Sequence, residues 1–138
     1  MSKQNKKKKK KRKSLQGNSL LIPKRSKMSE LIQEFAGDYI GMGDNLVEKQ
    51  NLLRSASTAW NIGNLSANKH KDALDEYIEV FKKYNPGTKY ANDLRENMEI
   101  LIRKKVTEFS AYKKQIVNAE IYQENGVERI VVFSTPKK

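Results

Sequence analysis

The densest group of chemically capable side chains is KKKKKKRK, eight consecutive cations at residues 6–13. An ammonium group that neutralises a phosphate releases a condensed counterion, so such a run gains affinity for nucleic acid without touching a base. Seven of the eight are lysines, which lack the planar fork with which arginine reads guanine. No aromatic residue precedes Phe35, so this segment offers no stacking. The run therefore predicts contact with the phosphate backbone without sequence reading.

Three further cations extend this basic track toward the rest of the chain. The predicted nucleic-acid-binding residues are Lys6, Lys7, Lys8, Lys9, Lys10, Lys11, Arg12, Lys13, Lys24, Arg25 and Lys27. RNA or ribonucleoprotein is the favoured target, because a tail suits irregular phosphate surfaces and no helical pattern shows the clustered Arg, Asn or Gln that read duplex DNA. Four alternatives stay open: a solubility feature without a partner, steering toward an acidic protein, attachment to anionic lipid and, in a eukaryote, a nuclear import signal.

The net charge of the chain is concentrated in the same segment. The sequence has 28 Lys and Arg against 16 Asp and Glu, a formal charge of +12. Residues 1–27 contain 12 of these cations and no acid, so residues 28–138 are formally neutral. Attraction to a polyanion therefore belongs to the N-terminus, and the neutral core must select the target. The alternative is a protein–protein adaptor whose tail only steers association.

The other chemically capable residues are sparse and argue against an enzyme. His70 is the one histidine and there is no cysteine, so a zinc site would need several carboxylates. As a general base, His70 would need Asp72 or Asp75 to position it, and a partly exposed structural or capping role is the simpler interpretation. GMGD, at residues 41–44, follows a helical pattern, whereas glycine loops that bind phosphate follow a strand. We expect a non-enzymatic protein with no metal and no cofactor.

Two aromatic positions could form a binding surface. Trp60 could stack on a base or anchor a protein interface, but Leu53 and Ala56 share its helical face and favour the core. Tyr122 and Arg129 are expected to face each other on the outward side of a hairpin. They are the candidate partner surface, although a simple stabilising pair would explain them as well.

Apolar periodicity predicts four helices that position these residues. The first begins near Ser26, and Asp44, Ser66 and Thr88 are suited to cap the others. Gly63 is expected to end the second helix in left-handed conformation. The predicted buried stripes are Met28, Leu31, Ile32, Phe35, Ala36 and Tyr39; Leu46, Leu53, Ala56 and Trp60; Leu74, Tyr77, Ile78, Phe81 and Tyr84; and Leu94, Met98, Leu101, Ile102, Val106 and Phe109. Arg103, Lys104 and Lys105 lie near the end of the fourth helix, where its dipole favours cations.

The C-terminal segment changes to a period of two. Asn125-Gly126 between β-branched and aromatic residues predicts a two-residue hairpin turn. The expected pairs are Ile121 with Ile130, Ala119 with Val132 and Val117 with Ser134 on the apolar face, and Tyr122 with Arg129, Glu120 with Val131 and Asn118 with Phe133 on the other. A hairpin alone is marginal in water. We therefore expect SLLI, residues 19–22, to add as a third strand or lie across the apolar face, with order beginning near Ser19 and Leu20 or Leu21 docked.

The pattern along residues 28–135 resembles a known group of proteins. A Trp-Asn pair at the end of an Ala- and Ser-rich helix, an acidic helix closed by YNPG, a further helix and a final hairpin are similar to a family of small, uncharacterised bacterial proteins. The resemblance implies this architecture and a bacterial source, and it brings no functional residues.

Together these patterns predict an α+β fold of about four helices followed by a C-terminal β-hairpin, with a disordered basic N-terminal tail. The expected divisions are a disordered polylysine tail at residues 1–18, a basic linker with the apolar SLLIP segment at 19–27, and a single small α+β domain at 28–138. No apolar run approaches the roughly 18 residues that span a bilayer, so we expect a cytoplasmic protein.

Overall fold

The first two helices of the described chain lie against a small sheet, and the third and fourth pack mainly on other helices. The structure, a computed structural model, describes residues 21–23 and 27–135. In chain order the elements are β1 (Leu21–Pro23), α1 (Lys27–Ile40), α2 (Leu46–Gly63), α3 (His70–Tyr84), α4 (Ala91–Glu108), β2 (Ile116–Glu124) and β3 (Val127–Ser134). Within these ranges, the predicted four helices followed by an antiparallel hairpin are confirmed. The prediction of a disordered tail falls outside the described residues.

An aromatic cluster lies at the centre of the core. Trp60 of α2 is fully buried, as the apolar pattern of its helix predicts. The Phe35 ring of α1 meets it edge to face, with the ring centroids 5.2 Å apart, and Phe109 lies 5.6 Å from Phe35 in a second edge-to-face contact. Edge-to-face pairs add about 0.5 to 1.5 kcal/mol beyond the apolar area they bury. The cluster therefore joins α1, α2 and the end of α4.

The cap of α2 is Asn45 rather than Asp44. The Asn45 Oδ1 atom accepts from the Glu48 backbone N–H at 2.9 Å, and Glu48 Oε1 accepts from the Asp44 backbone N–H at 2.7 Å. This reciprocal arrangement needs an acidic residue three positions after the cap. Glu48 has that spacing from Asn45, so the predicted Asp44 cap is wrong by one residue.

Gly63 ends α2 for a different reason than the sequence predicts. The positive backbone φ angles in the described part of the chain belong to Gly87, Asn125 and Gly126, so Gly63 is not a left-handed stop. A Cβ atom at this position would lie only 2.5 Å from Lys105 Cγ. The glycine therefore allows α4 to approach α2 closely.

The connections around α3 and α4 also correct several predictions. Ser66 makes no side-chain cap hydrogen bond and precedes a short 3-10 turn, Ala67–Lys69, before α3 begins. Thr88 does accept a hydrogen bond from a backbone N–H, that of Tyr90, before α4 begins. Tyr84 and Val106 are exposed, although the periodicity places both on buried stripes. Tyr84 is the last residue of α3, beyond the part of the helix that the core covers. At the end of α4 the buried positions are Lys105 and Phe109, so Val106 is left facing solvent.

The hairpin has the predicted turn and most of the predicted register. Asn125 and Gly126 have φ angles of 54° and 79°, as a two-residue turn requires. Five of the six expected pairs are present. The sixth is wrong, because an irregularity between Ile116 and Asn118 sets Ile116 opposite Ser134. This shift buries Ile116 and turns Val117 out to solvent.

Residues 21–23 supply a third strand to the described sheet, whose order is β1-β3-β2. The β1 backbone runs parallel to β3, with Leu21 opposite Glu128 and Pro23 opposite Ile130. The expected added strand is therefore present at these residues. The expected start of order near Ser19 and the docking of Leu20 fall outside the described residues. Proline cannot donate to a strand ladder, so Pro23 suits this outer position.

Candidate functional site

The predicted nucleic-acid-binding residues lie almost entirely outside the described part of the chain. Lys6 to Lys13, Lys24 and Arg25 all fall there, and Lys27 is the first residue of α1, with only its backbone described. The prediction that residues 6–13 bind phosphates therefore depends on the sequence of this segment. The folded part offers an outward sheet face, two buried lysines and a polar contact along one strand edge.

The predicted pair on the hairpin is formed. Tyr122 and Arg129 are partners across β2 and β3, and both side chains are half-buried. The Arg129 Nε atom lies 2.8 Å from Glu124 Oε1, so its charge is matched locally. Further along this outward face, Phe133 is 53% exposed. The face combines apolar and charged groups without a basic excess, which suits a protein partner better than a phosphate backbone.

Two amide side chains of α2 cover the outer edge of β2. Gln50 Nε2 donates to Ala119 O at 2.9 Å, and Gln50 Oε1 accepts from the Ile121 N–H at 2.8 Å. Three turns later, Asn61 Nδ2 donates to Ile116 O at 2.9 Å and Asn61 Oδ1 accepts from the Ile116 N–H at 2.7 Å. Each amide replaces one step of a missing neighbouring strand. The edge is therefore protected from pairing with another chain.

Beside Gln50, a buried ion pair joins α2 to the sheet. The Lys49 Nζ atom contacts both carboxylate oxygens of Glu128, at 2.7 and 2.9 Å. Both side chains are largely buried. We call Lys49, Gln50 and Glu128 the Lys49 cluster. It fixes the first part of α2 against both strands of the hairpin.

A second buried lysine lies at the other end of α2. Lys105 of α4 is 1% exposed, and its Nζ donates to Asn64 Oδ1 at 2.6 Å and to Tyr112 O at 2.9 Å. The same nitrogen lies 4.6 Å from the centroid of the Trp60 ring. We call Trp60, Asn64, Lys105 and Tyr112 the Lys105 cluster. From the sequence we predict only that Lys105 is a cation near the end of a helix. Its burial is not predicted, because a lysine is expected on the surface.

Burial lowers the pKa of Lys105 to about 8, and the nearby charge of Lys113 acts in the same direction. A low amine pKa is a property of nucleophilic lysines. Here, however, two donors of the amine are already engaged and the Trp60 ring covers it. The geometry indicates an internal link between α2, α4 and the loop before β2.

The one histidine lacks the arrangement of a general base. His70 Nε2 lies 2.9 Å from Leu65 O, a contact that ties the start of α3 to the beginning of the connection that follows α2. Asp75 accepts from Lys71 at 2.8 Å and from Arg95 at 2.7 Å, and these bonds hold the pKa of its carboxyl below the usual value. Within the described ranges, no group of three or more His, Asp or Glu side chains is placed to hold a metal ion.

The chain matches no protein-family model, no curated protein and no solved structure. Among residues 21–23 and 27–135, no helix has the length and apolar character needed to cross a membrane.

Proposed function

We propose that this protein is a non-enzymatic, cytoplasmic binding protein held on nucleic acid by its lysine tail, with RNA or ribonucleoprotein as the favoured polyanion. The folded domain selects the target. The observation that carries this proposal is the separation of charge, since 12 of the 28 cations lie in residues 1–27 with no acid among them. Such a segment binds phosphates through counterion release.

The charge of the folded domain also favours the tail as the segment that binds a polyanion. In residues 28–135, Asp and Glu outnumber Lys and Arg by two. The buried pair of Lys49 and Glu128 is neutral, whereas Lys105 is buried without a carboxylate partner among its hydrogen bonds and adds little to the field outside the protein. The surface of the domain is thus more acidic than its composition suggests. This favours the tail as the source of affinity for a polyanion.

The experiment compares the full chain with a variant in which residues 6–13 are all replaced by Gln. Binding of single-stranded RNA is measured by fluorescence anisotropy at several salt concentrations. If about six cations engage phosphates on a single strand, affinity of the parent protein should fall roughly 300-fold between 50 and 200 mM salt, and the variant should lose most binding. Equal affinity of parent and variant would rule out the tether.

The outward sheet face favours the adaptor as a second candidate function. Phe133 and Val117 are both more than half exposed, on the same two strands as Tyr122 and Arg129. On this alternative, a protein partner should remain bound after nuclease treatment and should be lost from Phe133→Ser. Release of all partners by nuclease would favour the nucleic-acid tether.

A further inference from the structure

The turn between α3 and α4 combines exposed aromatic rings with lysines. Its sequence, FKKYNPGTKY at residues 81–90, holds three lysines and two tyrosines, and no acid occurs between Glu79 and Asp93. Tyr84 is 77% exposed and Tyr90 is 70% exposed. Two large exposed rings therefore lie beside cations, on a domain with a slight acidic excess.

The backbone of this turn is fixed by its own hydrogen bonds. Asn85 Nδ2 donates to Phe81 O at 2.9 Å, and Asn85 O accepts from the Thr88 N–H at 3.1 Å. Thr88 Oγ1 accepts from the Tyr90 N–H at 3.1 Å, and Gly87 supplies the positive φ of 78°. The two rings therefore project from ordered backbone. A ligand that binds to the two rings therefore loses little free energy to ordering the loop.

We propose that Lys83, Tyr84, Lys89 and Tyr90, the tyrosine–lysine turn, form a second contact for nucleic acid that is specific for single strands. The rings stack on unpaired bases and the two ammonium groups contact flanking phosphates. Lys82 contributes less, since its Nζ lies 3.6 Å from a Glu79 carboxylate oxygen. This inference rests on the proposed function. The tail binds the nucleic acid, and the tyrosine–lysine turn then contacts the bases of a single strand.

The dimensions of the turn suit a short strand. Tyr84 and Tyr90 are six residues apart, and because the turn between them is folded, their Cα atoms lie closer than the about 20 Å of an extended chain. At about 3.4 Å per stacked nucleotide, fewer than about six nucleotides are needed to contact both rings. A duplex has no unpaired base to offer either ring, so it would meet only the lysines.

Lysines and aromatic rings together also occur at lipid interfaces, but this turn favours nucleic acid. Its tip is Asn85, Pro86 and Gly87, none of which is a large apolar side chain that could insert into acyl chains. The rings flank the tip and are separated along the chain, an arrangement that suits stacking on separate bases.

The test uses the full chain with Tyr84→Ala/Tyr90→Ala, and Tyr84→Phe/Tyr90→Phe as the matched control that keeps both rings. The probes are a labelled oligoadenylate and an RNA duplex of equal length. The alanine variant should bind oligoadenylate at least about fivefold more weakly than the parent, while the phenylalanine variant and all duplex binding stay unchanged. Lys83→Gln/Lys89→Gln should lower the slope of log affinity against log salt by about 0.7 per lysine on the single strand.

The outcomes separate this inference from the tether. If the alanine variant binds oligoadenylate like the parent, the tyrosine–lysine turn is not a contact, while loss of binding on neutralising residues 6–13 would still support the tail. If neutralising the tail has no effect but the alanine variant binds weakly, the tether is wrong and the turn is the main site. Vesicles of phosphatidylserine and phosphatidylcholine complete the test, because a ring-dependent loss on vesicles without one on oligoadenylate would overturn the inference.

Discussion

The two ends of α2 hold buried lysines in opposite ways. In the Lys49 cluster, the ammonium group meets a carboxylate, Glu128, so the buried charges cancel. In the Lys105 cluster, the ammonium group meets two neutral oxygens and the Trp60 ring. A lysine with a buried counter-ion depends on that ion, whereas one held by dipoles can lose its proton and keep its hydrogen bonds. The fold thus has one charge-dependent link and one link that tolerates loss of charge.

The largest expected effect comes from removing the ring of the Lys105 cluster. Trp60→Ala should lower the unfolding free energy by about 3 to 5 kcal/mol, because it leaves a large cavity in the core and removes the Nε1 hydrogen bond to Lys114 O. Denaturant unfolding followed by circular dichroism measures this, with Trp60→Phe as the control that keeps a ring. An alanine variant that is as stable as the parent but has lost a ligand would mean that Trp60 serves binding rather than packing.

Breaking the ion pair at the other end should have the next largest effect. Lys49→Met leaves the Glu128 carboxylate buried without its partner, so we expect a loss of about 3 kcal/mol at pH 7. The double variant Lys49→Met/Glu128→Leu should recover much of this loss, because no uncompensated charge remains. Chemical denaturation of the parent, the two single variants Lys49→Met and Glu128→Leu, and the double variant gives the coupling energy. Additive effects of the two substitutions would show that the pair is not coupled.

A pH titration distinguishes the two lysines. The pKa of Lys105 in the folded protein is about 8, below its ordinary value of 10.5, so between these values the unfolded chain keeps a proton that the folded protein has released. The unfolding free energy should therefore rise with pH across this interval, by up to about 3 kcal/mol relative to Lys105→Met. Other titrating groups are common to both proteins and cancel. A difference that stays constant from pH 7.5 to 10.5 would contradict the role assigned to burial.

The smallest expected effect tests the close approach of α4 to Gly63. Alanine favours a helix over glycine by about 1 kcal/mol, but its Cβ would lie 2.5 Å from Lys105 Cγ and 2.7 Å from Lys105 Cβ. These atoms are near the backbone and cannot move away freely, so Gly63→Ala should be net destabilising by about 1 kcal/mol. Thermal unfolding measures the change. In a Lys105→Gly background, which removes both of these atoms, the same substitution should become neutral or favourable, and a penalty that persisted there would point to another contact.

Local signals predict much of this fold. The Asn125-Gly126 turn sets the strand pairs, and three-and-four spacing locates the helices and the buried Trp60. The bulge at Val117 could not be predicted from neighbouring residues, because Ile116 is held in its position by hydrogen bonds to Asn61 of α2. Lys105 is missed for a related reason, since its burial depends on partners 41 residues before it and 7 after it.

Some features of the candidate sites could be predicted from local sequence and others could not. The Tyr122–Arg129 pair follows from a local turn and is formed. Exposure of Tyr84 could not be predicted, because its helical spacing fits the buried stripe and only the limited extent of the core leaves it in water. The nucleic-acid role of the tail stays a prediction from composition.

The amide contacts of α2 with β2 have a consequence for how the chain folds. Gln50 and Asn61 bond to residues 55 to 71 positions later, and Ser29 Oγ accepts from the Val132 N–H across 103 positions. During synthesis these polar groups of α1 and α2 must stay in water until β2 and β3 have emerged. Contacts so distant in sequence slow folding, because the long loops must close first. We therefore expect the helices to acquire stable packing in one late step, when the hairpin docks.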